Sequence, residues 1–355
     1  MKKKVLLISI IIGLLGLALS SCAAPASVEE NEPQELLVMT HDSFAISEEI
    51  VLQFEEQHHA KVIFIKGGDT GAALNTAILN KQSPLADVFF GVDNTFLTRA
   101  LEEELFIPYE SPELANIAEE FKLDPENGAL PMDYGDVCIN YDIAYFGEKN
   151  LSVPQSLDDL LKPEYQGLLV VESPATSSPG LAFLLATIAE FGEEGYLDFW
   201  KALRDNDVVV VLDWETAYYS NFSASAGVGP QPMVVSYASS PVAEVIFAEE
   251  VLDTAPTGSV IGKNTCFRQI EFIGILQGTQ KEALAQEFID FMLSSAAQED
   301  IPMQNFMFPV NITAELPESF SLHAQIPENP AKVAPALISE KREEWIEAWD
   351  EIVLR

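Results

Sequence analysis

Residues 36–93 set the tightest limit on what this chain can become. Three apolar runs of strand length, 36–39, 62–65 and 88–90, are separated by two segments that open like helices. Ser47 suits an N-cap, Glu48 and Glu49 suit the positive helix end, and Ile50, Val51 and Phe54 share one apolar face. Gly67-Gly68 ends the second run, and Asp69 or Thr70 can cap a helix carrying Leu74 and Ile78 four residues apart. This βαβαβ order predicts a parallel sheet with crossover helices. The pattern recurs. Residues 168–171, 208–212 and 233–235 read as strands, Ser177-Ser178-Pro179-Gly180 opens a helix to about Phe191, and Trp214 begins a loop and helix. An amphipathic helix follows at 283–293, and a last one at 339–353 with Trp345, Ile346, Trp349 and Ile352 on its apolar side.

Two such units predict an α/β protein of two lobes with a cleft, and ligands of open α/β sheets bind beyond the carboxyl ends of the strands. The polar turns that fall there are His41-Asp42-Ser43, Gly68-Asp69-Thr70, Asp93-Asn94, Thr176-Ser177-Ser178 and Ser239-Ser240.

The N-terminus reads as an export signal. Lys2, Lys3 and Lys4 precede an apolar stretch, 5–19, that is too short to span a bilayer comfortably. Leu19-Ser20-Ser21-Cys22 resembles a bacterial lipobox. On that reading residues 1–21 are removed, Cys22 is acylated and anchors the chain to a membrane, and the small, acidic residues 22–35 form a tether. The chain is then expected in the periplasm or on the cell surface. With 19 Lys and Arg against 56 Asp and Glu, the net charge of −37 excludes a nucleic-acid partner held through a basic face. The same acidity permits a cationic ligand and equally reads as serving solubility alone.

Cys138 and Cys266 each lie in an apolar stretch and read equally well as a disulfide or as two buried thiols. His58 and His59 are adjacent, point apart and make a poor chelating pair, and no Cys/His cluster has zinc spacing. Neither a metal nor a cofactor is expected. His41, Asp42 and Ser43 have the residue types of a hydrolase triad, but neighbours in sequence cannot converge as a triad does. With no nucleophile elbow and no phosphate loop, the chain is not read as an enzyme.

From about Leu36 onward the chain resembles the thiamine-binding proteins of bacterial ABC importers. The likeness runs through Thr40-His41-Asp42-Ser43-Phe44, Leu85-Ala86-Asp87-Val88, Gly91-Val92-Asp93-Asn94, Asp133-Tyr134-Gly135, the Ser177-Ser178-Pro179-Gly180 turn, Val235-Ser236-Tyr237-Ala238-Ser239-Ser240-Pro241 and Asn305-Phe306-Met307-Phe308-Pro309. It implies a two-lobed type II periplasmic-binding-protein fold, with 36–132 and 250–310 in one lobe, 136–245 in the other, hinge crossings near Gly135 and Glu249, and 311–355 packed back across them. It implies a monomer that captures thiamine, or a thiamine phosphate, and delivers it to a separate permease and ATPase. Ligand contacts carry over to Asp69, Thr70, Ser177, Ser178, Trp214, Tyr218, Tyr237 and Ser240. Asp42 joins them as a candidate counter-charge, Trp214, Tyr218 and Tyr237 are placed to stack on the rings, and Ser177 and Ser178 suit a hydroxyl or phosphate tail. Departures from the family pattern are His41, Thr70, Ala243 and Phe306. A ferric-ion receptor of the same fold is the competing reading, through Tyr218-Tyr219.

Overall fold

The computed structural model describes residues 32–224, 229–248, 250 and 252–355. The leader, Cys22 and the crossing near Glu249 therefore lie outside the described residues. Gln34–Arg355 forms one unit, built on a single mixed sheet of eleven strands. In chain order these are β1 (Gln34–Thr40), β2 (Ala60–Lys66), β3 (Val88–Asp93), β4 (Phe106–Ile107), β5 (Leu130–Asp142), β6 (Leu169–Glu172), β7 (Val209–Val211), β8 (Met233–Tyr237), β9 (Thr257–Val260), β10 (Phe267–Leu276) and β11 (Phe308–Pro309). The main path runs β2-β1-β3-β10-β5-β8-β6-β7.

The expected parallel pairing holds at both flanks, where β1 pairs with β2 and β3, and β6 with β7 and β8. The centre corrects the expectation of a parallel sheet. There β10 runs antiparallel to β3 and β5, and β5 antiparallel to β8. The 13-residue β5 is the spine. On one edge its first part pairs with β10 and its last four residues with β9; on the other edge β8 pairs with residues 137–141. Neither β5 nor β10 was expected as a strand. Asp133, Gly135, Asp136 and Asn140 interrupt one, Gln269 and Glu271 the other, and such residues are depleted in strands.

The helices form for the local reasons foreseen. Ser47 caps Glu48–His58, its Oγ accepting from Ile50 N, and Asp69 caps Thr70–Leu79, its Oδ1 accepting from Thr70 N at 2.8 Å. The helical run Ser178–Asp205 contains a break at Gly192 (φ 73°), so the segment ending at Phe191 is followed by a second helical stretch. Pro335–Val353 closes the chain. Its Trp349 ring meets Trp200 edge-on at 5.4 Å, and Trp345 and Trp349 are fully buried.

Cys138 of β5 and Cys266, the residue before β10, are joined by a disulfide across 128 residues of chain. It fixes the two central strands to each other. Replacing both cysteines by alanine is expected to lower unfolding stability by about 2–4 kcal/mol, the usual worth of a bridge closing a long loop. Urea denaturation of the two proteins checks this.

Candidate functional site

The loops after the strands converge on a cavity of about 290 Å3. Each chain segment arrives for a reason visible in its own hydrogen bonds. Beyond β1, the Asp42 carboxylate accepts from Gly68 N at 3.0 Å, which ties the His41-Asp42-Ser43 turn to the turn after β2. Asp69 caps its own helix with one oxygen and accepts from Trp214 N at 3.3 Å with the other, so segments 145 residues apart meet at one carboxylate. Thr70 is buried and donates to the Gly91 carbonyl at 3.0 Å. Ser178 donates to Asp93, which also accepts from the amide and hydroxyl of Thr95.

One wall is aromatic. Trp214 lies parallel to Tyr218 with ring centres 4.9 Å apart and stands edge-on to Tyr219 and Tyr237. Polar tips pin the rings. Trp214 Nε1 donates to Ser236 Oγ at 2.9 Å, the Tyr218 hydroxyl to Glu244 at 2.6 Å, and the Tyr237 hydroxyl to Gln269 at 3.2 Å. Gly135 lets this wall form. A Cβ there would sit 2.8 Å from the Met307 sulfur and 3.1 Å from the Tyr237 ring.

The same cavity is acidic. Glu271 of β10 faces the cavity, and Asp133 of β5 stands across from it in the strand register. Burial pushes the Asp69 carboxyl up to about 6 and the Asp133 carboxyl up to about 7, and lifts Asp93 as well. Glu271 is pushed well above the ordinary carboxyl range, first by burial and then by Asp133, Asp93 and Asp69. His41 does not compensate them. Its Nε2 is 3.6 Å from Glu271 Oε1, but burial, with Lys66 adding to it, holds the ring down to about 3, so it is neutral at physiological pH. Among the described residues no lysine or arginine lines the cavity. Lys66 sits behind it, donating to the carbonyls of Asp42 and Phe44.

Of the residues picked from sequence, Asp42, Asp69, Thr70, Ser178, Trp214, Tyr218, Tyr237 and Ser240 line this cavity. Ser177 does not; it is fully buried. Ser240 lines it but spends its hydroxyl on Ser236 and on the Tyr237 amide. Besides Thr70, the other positions that depart from the family pattern, His41, Ala243 and Phe306, also line it, as do Asn305 and Phe247, whose ring meets Phe306 at 5.4 Å. Sequence reasoning missed Glu271 and Gln269. The signal was available as three polar residues, Arg268, Gln269 and Glu271, inside the otherwise apolar run Phe267–Leu276.

Fold and cleft together define a two-lobed receptor of the periplasmic-binding-protein type. Residues 83–341 match the model of the bacterial extracellular solute-binding proteins, and the chain belongs to that family. A thiamine-binding periplasmic protein of Salmonella typhimurium is 29% identical over 339 residues, covering 94% of this chain and 97% of that one. A solved periplasmic thiamin binding protein superposes with a TM-score of 0.80 at 26% identity, over 90% of this chain and 96% of its own. A ferric binding protein from Campylobacter jejuni shares the fold, with a TM-score of 0.72 at 20% identity over 89% of this chain and 99% of its own. Among the described residues no helix is long and apolar enough to cross a membrane.

The raised carboxyls carry a sign that can be tested. An acid whose folded pKa lies above its unfolded value binds more protons when folded, so its contribution to stability is complete below the unfolded pKa and is lost as pH rises through the folded one. For Asp133 that window runs from 3.8 to about 7. The opposing group, His41, acts only below its ordinary 6.5. Replacing Glu271 with Gln is therefore expected to raise ligand-free stability relative to the parent at pH 8, and by less at pH 5. Thermal unfolding of both chains at the two pH values reads the difference.

Proposed function

We propose that this chain is an extracytoplasmic receptor for thiamine. The observation that carries the reading is an aromatic wall and carboxyls lining one cavity, with no lysine or arginine among the described lining residues. Thiamine supplies what is missing, a flat heteroaromatic body with a permanent positive charge. Trp214, Tyr218 and Tyr237 offer ring faces to it, each such contact contributing about 0.5–2 kcal/mol. Asp69 and Glu271 offer counter-charge, and a carboxylate accepts from the exocyclic amine. The similarity to thiamine-binding relatives over most of the chain supports the same ligand.

The arrangement favours the unphosphorylated vitamin. The helix N-terminus at Ser177-Ser178 was expected to suit a phosphate, but the Ser178 hydroxyl is engaged by the protein's own Asp93 carboxylate. Asp42 and Glu215 add acidity to the lining. A phosphate ester entering here meets like charge with no lysine or arginine to receive it.

The ferric reading is opposed by the tyrosine pair itself. The Tyr218 hydroxyl is committed to Glu244, and burial with Glu244 beside it raises its pKa well above 10, which makes an iron-bound tyrosinate costly.

Delivery to an ABC permease and its ATPase, export to the periplasm or cell surface, and anchoring through lipid on Cys22 complete the proposal. They rest on family membership and on the leader sequence. The hinge is proposed at the β5 crossing near Gly135, with closure favoured by ligand through differential affinity.

Two titrations test the reading. Calorimetry with thiamine is expected to give micromolar or tighter binding, and Trp214→Ala to weaken it at least tenfold while the far-ultraviolet circular dichroism is retained. Thiamine is expected to bind at least tenfold more tightly than thiamine diphosphate. Absence of thiamine binding by folded protein would remove the assignment, and equal affinities would remove only the preference for the free vitamin.

A further inference from the structure

The thiamine reading needs a counter-charge but does not say which group supplies it or what happens to that group when the cleft is empty. Glu271 and Asp133 answer both questions by position. They are directly opposite in the β10–β5 register, 3% and 0% exposed, on the two longest strands of the sheet. Glu271 reaches the cavity; Asp133 lies within hydrogen-bonding reach of Glu271 and accepts from Asn305 Nδ2 at 3.2 Å.

The groups facing the pair come from every neighbouring element. From the end of β1 comes neutral His41, and from the end of β3 comes Asp93. The N-cap of the Thr70–Leu79 helix contributes Asp69. Tyr237 comes from β8, its hydroxyl already donating to Gln269. The nearest arginine in the sheet, Arg268, is turned away into a two-point pair with Asp136 at 2.9 and 3.1 Å. Two buried carboxyls side by side without a cation do not both ionise; one proton remains with the pair.

We propose that Glu271, with Asp133 as its proton-sharing partner, is the residue that reads the ligand's positive charge, and that entry of a cationic ring displaces one shared proton to solvent. The proton balance is simple. The empty site holds one proton between two carboxyls; the occupied site holds the fixed cation and two carboxylates, and the proton passes to buffer. The upward displacement of both carboxyls agrees with this. Cation affinity then rises with pH by up to about tenfold per unit while the pair remains protonated in the empty protein. A neutral ligand of the same shape gains nothing from the rise. The inference rests on the thiamine reading and adds the group that selects for charge.

The test is calorimetry of the whole chain near pH 6.5 in two buffers of different ionisation heat. The ligands are thiamine and its neutral isostere with a thiophene in place of the thiazolium. The isostere keeps the aminopyrimidine, so that ring's own proton cancels in the comparison. The expected result is release of close to one more proton with thiamine than with the isostere. Glu271→Gln is expected to abolish that excess and to weaken thiamine at least tenfold more than it weakens the isostere. Should that variant not fold, Asp133→Asn is expected to remove the excess proton, and the parent's proton count stands by itself. Thiamine binding with no excess proton, or a Glu271→Gln variant that binds it as tightly as the parent, overturns the inference and leaves the receptor reading in place. No thiamine binding by folded parent protein overturns both.

Discussion

The antiparallel pairing of β5 with β10 is the constraint on which the rest of the molecule depends. It joins two parallel flanks that would otherwise be separate sheets, and the Cys138–Cys266 bond holds it. It also sets Asp133 opposite Glu271, and through Gly135 leaves room for Tyr237 and Met307 against the strand. A pair of long strands shared by both halves is at once the spine of the fold and one side of the cleft, so the chemistry of the site is fixed by the register of the sheet rather than by loop conformation.

That pairing costs energy. Buried carboxyls without counter-cations are destabilising, and Asp133 and Glu271 stand side by side as such a pair at the cavity. A structural acid is ordinarily paired, as Asp136 is with Arg268 and Asp87 with Lys281. Glu172 is also buried with neither carboxyl oxygen bonded, so an unpaired acid is not confined to the cavity; what singles the cavity out is that Asp69 and Glu271 line it, with no lysine or arginine among the described lining residues, where a cation from outside can reach them. The aromatic wall gives the same answer by different physics, since the faces of Trp214, Tyr218 and Tyr237 carry negative quadrupole.

Much of this was legible in the sequence. The flanking strands and helices announce themselves because their apolar residues are uninterrupted and their caps are local: Ser47, Asp69 and the Ser-Pro-Gly turn act on neighbours in the chain. The turns beyond those strands supplied most of the lining residues. The centre was not legible for the converse reason. β5 and β10 carry Asp, Asn, Gln and Glu at buried positions, so the period-two pattern fails where function places polar groups inside. Nor could local sequence show that Ser177 is buried outside the cavity lining while Ser178 is spent on Asp93, 85 residues distant. The disulfide likewise was one of two equal readings until the strands were seen side by side.

The account stands or falls on where a cationic ring rests. A crystal structure of the chain with thiamine at pH 8 measures that directly. The account predicts the thiazolium between the Trp214–Tyr237 wall and Glu271, within about 6 Å of a ring centre, with Ser178 at the helix start still bonded to Asp93. A ligand found with its thiazolium in solvent, or with Glu271 turned away from it toward another partner, would contradict it.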